Sequence, residues 1–332
     1  MQMSSMRAAI LETYDSQFRY ASVALPVPQP GEVLVKIVSS GVNSLDLAIR
    51  SGKAPYLRHA LPAILGSDFA GIVVGTGSAH ASFRPGDEVY GMTGGVAGIQ
   101  GTLAEYACID ARLLALKPTN LCMREAAALP MPFISAWEGL VERAGLQSSQ
   151  TLLIQGGSSD VGHLAIQIAN ALGAKVFATE TPDRLHLVED SGATAINSDC
   201  MTVEEYVSQY TRGRGFDIVY DTIGGESLNN SFRAVRQKGH VISTLGWREH
   251  CLASLSVRGA IFSAVFPVLP LLSGEGKSHL GEMLREASRL VESGLLLPRM
   301  DARRFGLQSV DEAHAAFTDG AGNGKLIIDI GI

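Results

Sequence analysis

At 332 residues, with 46% hydrophobic and 18% charged side chains, the chain is long enough for two domains and apolar enough to bury a sizeable core. A formal net charge of -6 without a long run of one sign argues against nucleic acid or an acidic membrane as the main partner. Four cysteines without paired spacing signal neither a disulfide framework nor a zinc ribbon, and the eight dispersed histidines give metal binding no support.

In chain order, Met1 to Ile10 holds only a brief apolar patch before Glu12, so no leader is read and a cytoplasmic location is expected. Met6–Leu11, Glu32–Val38, Gly71–Val74, Glu88–Tyr90 and Ala104–Ile109 mix β-branched and apolar residues between turns such as Pro28-Gln-Pro-Gly31 and Arg84-Pro-Gly-Asp87. Together they predict a small barrel or sandwich. From Met123 the grammar changes to alternating helices and strands, with helices expected over Arg124–Leu129 and Ile134–Ala144. The best later strands are Phe216–Asp221 and Gly239–Thr244, each ending in a glycine loop, Ile223-Gly-Gly225 and Leu245-Gly246. Ser254–Phe262 reads as the last strand of that sheet. Ala260–Leu272 is too short for a membrane span and is broken by Pro267 and Pro270, so it reads as a buried or interface segment. His279–Ser293 has the period of an amphipathic helix, and Lys325–Ile330 alternates like an exposed edge strand.

The most informative stretch is Thr151–Asn170. Leu152, Leu153 and Ile154 form a short buried strand, Gly156 and Gly157 permit a tight turn, and Val161, Leu164, Ala165 and Ile168 recur at helical spacing. Gly162 lets the helix press on the strand, and the unpaired amides at the helix start can receive a pyrophosphate. A second strand, Gly173–Thr179, ends at Glu180, placed to accept ribose hydroxyls. Ser159 and Asp160 stand where glycine would be easier, and an aspartate facing a pyrophosphate costs electrostatic energy. They are the main internal objection to cofactor binding.

The segments Pro28–Val35, Ser40–Asp46, Arg84–Tyr90, Gly101–Tyr106, Ala126–Pro130, Ser135–Leu140, Gly192–Asn197, Asp217–Gly225, Glu312–Phe317 and Gly324–Lys325 follow one another in a familiar order. In these motifs the chain resembles the medium-chain dehydrogenases/reductases nearly end to end. The resemblance implies an α/β architecture: a GroES-like β-rich catalytic domain (1–125), a Rossmann doubly wound parallel-sheet domain (126–270) and a return segment completing the catalytic domain (271–332). Zinc-bearing members place a cysteine at the position of Asn43 and a histidine and glutamate at Ser67 and Asp68. Asparagine and serine are poor zinc ligands, and the cluster of four cysteines for a structural zinc is missing as well. The chain is thus similar to the zinc-independent quinone oxidoreductases and enone reductases, and no metal ligand is expected.

The resemblance implies hydride transfer from a nicotinamide to a quinone or α,β-unsaturated carbonyl, with Asn43, Asp46 and Ser135 as the catalytic-site residues. Asn43 could hold the substrate carbonyl or the nicotinamide ribose, or simply cap its turn, and Asp46 is read as a structural or ribose-contacting group. Tyr56 and Tyr90 are the phenols considered as proton donors, solvent being the alternative. The cofactor set comprises Gly156, Gly157, Ser158, Asp160, Val161 and Gly162 at the turn, Thr179, Glu180, Thr181, Arg184 and Ser198 beyond it, Ile223, Gly224, Leu245 and Gly246 in the glycine loops, and Lys325. Arg184 favours NADP(H), Glu180 favours NAD(H), and the balance is read toward NADP(H). Ser198 stands where family members often carry an adenine-side tyrosine. The apolar last strand favours a homodimer. A second reading keeps the fold without turnover, as a nucleotide-binding redox sensor.

Overall fold

The computed structural model describes residues 5–57, 60–78, 82–320 and 322–331. The chain divides into two compact units. The first comprises Met1–Met131, Val268–Gly294 and Pro298–Ile332, and the second Pro132–Pro267 with Leu295–Leu297. The sequence boundaries at 125/126 and 270/271 fall a few residues from these breaks, and the brief return at Leu295–Leu297 has no sequence signature.

The first unit is built on strands because its apolar residues alternate. β1 (Ser5–Leu11) pairs antiparallel with β2 (Arg19–Ala24). In β3 (Glu32–Gly41), Val33, Val35 and Ile37 are buried while Lys36 faces solvent, the period of a strand with one covered face. β4 (Ala63–Ile64) lies along the other edge of β1. β5 (Asp68–Thr76), β6 (Glu88–Met92), β7 (Tyr106–Asp110) and β8 (Leu114–Leu116) extend an antiparallel sheet from β3. The helix Lys277–Glu292 buries Leu280, Met283, Leu284, Ala287 and Val291, the stripe expected of its amphipathic period.

The second unit is a wholly parallel sheet. Its strands are β9 (Thr151–Gln155), β10 (Lys175–Glu180), β11 (Thr194–Asn197), β12 (Phe216–Asp221), β13 (Val235–Ser243) and β14 (Ile261–Ala264), in the order β11-β10-β9-β12-β13-β14. This is the doubly wound dinucleotide-binding order, and it reverses between β9 and β12, where ligands bind outside the carboxyl ends of such strands. The helices Asp160–Ala171, Leu185–Asp190, Val203–Thr211 and Glu226–Ala234 make the crossovers. The helix expected over Ile134–Ala144 ends at Trp137 and continues as a π turn over Glu138–Arg143.

Two strand expectations are corrected. Ser254–Phe262 is not one strand: Ala253–Ser256 is a short helix, Gly259 turns the backbone at φ +54°, and only Ile261–Ala264 joins the sheet. Nor is Lys325–Ile330 an exposed edge. After β15 (Phe305–Gly306), β16 (Ile327–Asp329) sits between β15 and β3, so Leu326 to Ile330 are all buried. Among the described residues, no helix is long and apolar enough to cross a membrane.

His314, on the helix Val310–Thr318, is buried against the edge of Phe18, and its Nδ1 has no hydrogen-bond partner among the described residues. Burial, assisted by the nearby Arg50 charge, pushes its imidazole down to about 4 from an ordinary 6.5. The unfolded chain therefore binds a proton below pH 6.5 that the folded chain refuses until pH 4. This group's share of stability is complete above pH 6.5 and lost as pH falls through that window, on the order of 3 kcal/mol. Urea denaturation at pH 7.5 and 4.5 (about three units apart) should show a smaller acid loss in His314→Leu than in the native chain. Equal losses would remove His314 as the cause.

Candidate active site

The first unit gathers Asn43, Asp46, Ser67, Asp68 and Lys325 into one buried polar cluster. Asn43 is the N-cap of the helix Ser44–Arg50 in extended conformation, and its main-chain N–H donates to Asp46 Oδ2 at 2.8 Å. Asn43 thus does cap its turn. Its side chain does more: Nδ2 donates to Ser67 Oγ at 3.2 Å and Asp68 Oδ2 at 3.0 Å, while Oδ1 accepts from Lys325 Nζ. Both amide hydrogens are committed, so in this arrangement Asn43 cannot donate to a substrate carbonyl without releasing a partner. The other oxygen of Asp68 accepts from the Met131 amide at 2.9 Å, and Lys325 Nζ stands 3.7 Å from Asp68 Oδ2.

Gly41 makes room for this cluster. A Cβ there would stand 2.5 Å from the Ala127 carbonyl and 3.2 Å from both Asp68 Cβ and Lys325 Cε. Burial pushes the Asp46 carboxyl up to about 7; the Asn43 amide opposes this, the Asp68 charge adds to it and Lys325 draws it back. Of the two tyrosines considered as acids, Tyr90 is excluded by its place. It is buried, its hydroxyl donates to the Leu284 carbonyl at 2.5 Å, and burial raises its pKa far above the usual phenol range. Tyr56 is partly exposed on a short 3-10 turn.

Asn43, Ser67 and Asp68, the three positions that the sequence resemblance aligns with zinc ligands, are brought together. Their donors are an amide, a hydroxyl and one carboxylate, already bonded to each other and to an ammonium. This set does not fit zinc, and among the described residues no group of three or more His, Cys, Asp or Glu could hold a metal.

In the second unit the chain turns sharply after β9. Gly156 takes φ +81°, and the Gly156 and Gly157 amides both donate to the Thr179 carbonyl. Gly157 is forced by space, since a Cβ would meet Ala178 Cβ at 2.6 Å, and one on Gly162 would meet the Gly156 carbonyl oxygen at 2.1 Å. Ser159 needs no glycine. It caps the helix Asp160–Ala171 at φ -63°, with its Oγ accepting from the Gly162 amide at 3.0 Å, so the objection raised for it from sequence does not hold. Asp160 and Val161 open that helix half-buried.

Glu180 turns inward at the end of β10. One carboxylate oxygen accepts from the Ser158 amide at 2.9 Å and the other from the Thr181 amide at 3.0 Å. Thr179 is buried and donates its hydroxyl to Gln155 Oε1 at 2.6 Å. Arg184 has a side chain 30% exposed and a loose ion pair to Asp183 at 3.7 Å, and Ser198 donates to the Glu180 carbonyl at 3.1 Å. Ser135 is buried on the helix Pro130–Trp137, its carbonyl accepting from the Tyr220 hydroxyl at 2.7 Å.

The glycine loops after β12 and β13 bound a pocket of about 420 Å³ lined by Ile223, Gly224, Glu226, Leu245, Trp247 and Arg248, with Gly225 between them. Sequence reading misses what holds these loops. Asp221 Oδ2 accepts from the Gly224 amide and from Ser243 Oγ, both at 2.9 Å, and Ser243 Oγ accepts from the Leu245 amide at 3.1 Å. Thr222 Oγ1 donates to the Gln155 carbonyl at 2.7 Å and lies 2.9 Å from Ser159 Oγ, tying the loop to the turn. The acidic end of β12 is the only sequence signal for these links, and its partners come from another strand.

Comparison with known proteins agrees with this architecture. Residues 29–119 match the family described as alcohol dehydrogenase GroES-like domain, and residues 161–265 the family described as zinc-binding dehydrogenase. The chain is 34% identical over 317 residues to 2-methylene-furan-3-one reductase of Solanum lycopersicum, covering 93% of this chain and 74% of that one. It is 28% identical to quinone oxidoreductase of Homo sapiens, covering 93% of this chain and 92% of that one. A crystal structure of an alcohol dehydrogenase superfamily protein from Novosphingobium aromaticivorans is 51% identical, covers 98% of this chain and 99% of its own, and superposes with a TM-score of 0.95. With a GroES-like unit, a doubly wound nucleotide-binding unit and these relatives, the chain belongs to the medium-chain dehydrogenase/reductase superfamily, in its quinone oxidoreductase-like branch, and is an oxidoreductase.

Proposed function

We propose that the chain is a zinc-independent, NADP(H)-dependent reductase acting on a quinone or an α,β-unsaturated carbonyl. The observation that carries this reading is the buried set of Asn43, Ser67, Asp68 and Lys325, hydrogen-bonded to one another, whose amide, hydroxyl, single carboxylate and ammonium are not a zinc donor set. Without a Lewis acid the acceptor must already be activated by conjugation, as in the acceptors named for the tomato and human relatives. A bound dihydronicotinamide would supply the hydride.

The residues of this chain then position and polarise. The turn at Gly156–Gly162 and the loops at Ile223–Gly224 and Leu245–Gly246 hold the nucleotide, with Ser135, Asn43 and Asp46 as polar neighbours of the reacting groups. Asn43 is oriented by Lys325 through its Oδ1 and contributes as part of a fixed hydrogen-bonded set rather than as a free donor. Tyr90 is sequestered, which leaves solvent or Tyr56 to deliver the proton.

NADP(H) is favoured by the posture of Glu180. Two amides hold its carboxylate inward, which lowers its repulsion of a 2′-phosphate and leaves Arg184 as the group that meets it. The exposed Ile261 and Phe262 on the edge strand β14 support a homodimer, and a cytoplasmic location belongs to the same reading.

A second reading, a nucleotide-binding redox sensor, is favoured by one observation. The Gly156, Gly157 and Ser158 amides already have acceptors in Thr179 and Glu180, so the turn is satisfied without ligand. Quenching of Trp137 and Trp247 fluorescence by NADPH and NADH, followed by NADPH oxidation with a simple quinone and an enone, separates the two. We expect NADPH to bind about tenfold tighter than NADH, a preference abolished in Arg184→Ala, and to be oxidised by at least one acceptor. Binding without oxidation across a panel of quinones and enones would favour the sensor.

A further inference from the structure

We propose that Asn323 is a site of spontaneous deamidation, and that its isoaspartyl product unseats Lys325 from the buried cluster around Asn43, so that the chain carries a built-in limit on its working life. The modification itself does not depend on the reductase reading.

Asn323 is the one asparagine of the chain followed by glycine. It is exposed, and among the described residues neither its side-chain amide nor the Gly324 main-chain N–H has a hydrogen-bond partner. With no Cβ on Gly324, the nitrogen of that residue reaches Asn323 Cγ unhindered. As the bond between them forms, Cγ–Nδ2 breaks, and ammonia leaves with the proton that the Gly324 nitrogen gives up, closing a succinimide. Water then opens the ring. Attack at the side-chain carbonyl gives aspartate. Attack at the main-chain carbonyl gives isoaspartate, in which the backbone runs through Cγ and is longer by one methylene group.

The fold requires glycine at 324 and so cannot remove the lability. Gly324 has φ +137°, and a Cβ on it would stand 2.8 Å from the carbonyl carbon and oxygen of Arg299 and 2.9 Å from the carbonyl carbon of Met300. The same crowding leaves no room for an added methylene. The segment is pinned on both sides of it: the Asn323 N–H donates to Asp301 Oδ2 at 3.3 Å, the Lys325 N–H donates to the Arg299 carbonyl at 2.9 Å, and the Lys325 carbonyl accepts from the Asp301 N–H at 2.9 Å. Lengthening the chain between these ties shifts Lys325 in its bridge to Met300, and the ammonium that donates to Asn43 Oδ1 moves with it. A new carboxylate alone disturbs less, because Asp301, the acid bonded to this main chain, is already paired with Arg303 by bonds of 2.8 and 3.0 Å.

The test ages the full chain, Asn323→Gln and Asn323→Asp side by side in warm alkaline buffer. Glutamine closes its imide ring far more slowly, and aspartate supplies the charge at the outset without the longer backbone. In the native chain we expect the tryptic peptide Phe305–Lys325 to gain about one mass unit, located at 323 by fragmentation, and to accept methyl groups from an isoaspartyl methyltransferase with S-adenosylmethionine. Both signals should be about tenfold lower in Asn323→Gln, which keeps Asp319-Gly320 as an internal control. The urea midpoint and the initial rate of NADPH oxidation with phenanthrenequinone should fall in step with isoaspartate in the native chain and hold in aged Asn323→Gln. Fresh Asn323→Asp should keep the native midpoint and a rate within about twofold. Lys325→Met, with no ammonium to unseat, should lose clearly less on ageing. No mass gain at 323 overturns the site. Isoaspartate without a fall in midpoint, a fall already complete in fresh Asn323→Asp, or an equal loss in Lys325→Met overturns the link to Lys325. A fresh chain that oxidises no NADPH sinks the reductase reading instead, while mass and midpoint still decide this one.

Discussion

Lys325→Met should lower the stability of the protein by about 3–5 kcal/mol near pH 8. Methionine keeps most of the side-chain volume in the space left by Gly41, so the change removes chiefly the ammonium. What remains is a pair of buried carboxylates, Asp46 and Asp68, without the cation that draws Asp46 down, and an Asn43 Oδ1 stripped of its donor. The cost depends on pH with a definite sign. The Asp46 carboxyl is already pushed up to about 7 from 3.8, so its share of stability is full below pH 3.8 and lost as pH rises through 7. Removing the ammonium pushes it higher still, so the deficit of the variant is largest in alkaline buffer and shrinks as the medium is acidified toward the ordinary carboxylate range. Urea midpoints across that range read this directly. A deficit below about 1 kcal/mol, or one independent of pH, would show that Lys325 is a bystander to the cluster. The variant should also lose turnover more than nucleotide affinity, because Asn43 loses its fixed orientation while the turn at Gly156 is untouched.

The second large effect belongs to that turn. Gly162→Ala places a methyl group where only 2.1 Å separates it from the Gly156 carbonyl oxygen, and backbone cannot yield as a flexible side chain does. The helix start must move away from β9 by roughly an ångström, costing about 2–4 kcal/mol of stability. The same movement displaces the amides that would meet a pyrophosphate, so NADPH affinity should fall by about a hundredfold. Gly306→Ala is the matched control: Gly306 has φ -90°, and a Cβ there has nothing within 4 Å. It should leave stability within about 0.5 kcal/mol and nucleotide affinity unaltered. If Gly162→Ala binds NADPH as the native chain does, the turn is not where the phosphates rest.

What was legible in the sequence was local. Leu152–Ile154, Gly156, Gly157 and the helix behind them announce themselves within twenty residues because strand burial, the sharp turn and helix packing are all decided by near neighbours. Lys325 shows the opposite case. The sequence places it in the cofactor set, at the head of a strand expected at an exposed edge, and only its pairing with Asn43, 282 residues away, explains why it is buried. The misread strand at Ser254–Phe262 has a different cause. Leu255 and Val257 alternate with serine as a strand would, yet Gly259 at φ +54° breaks the segment and leaves a helical turn before it. Asp221 was visible as the acidic end of a strand, but its tie to Ser243 depends on which strand lies next to β12 in the sheet. The Glu180 posture was equally hidden, since a carboxylate at that place reads as a ribose acceptor until the Ser158 amide is seen to claim it.

The position of β16 between β15 and β3 bears on how the protein is made. On the ribosome, Pro132–Pro267 emerges as an uninterrupted run that carries every strand of its own sheet and can collapse early. The sheet begun by β3 must wait, its flank open, until Ile327–Asp329 has been translated. During that interval the edge of β3 at Ser39–Gly41, which pairs with β16, lacks its partner, and an unpaired strand edge is a template for wrong pairing.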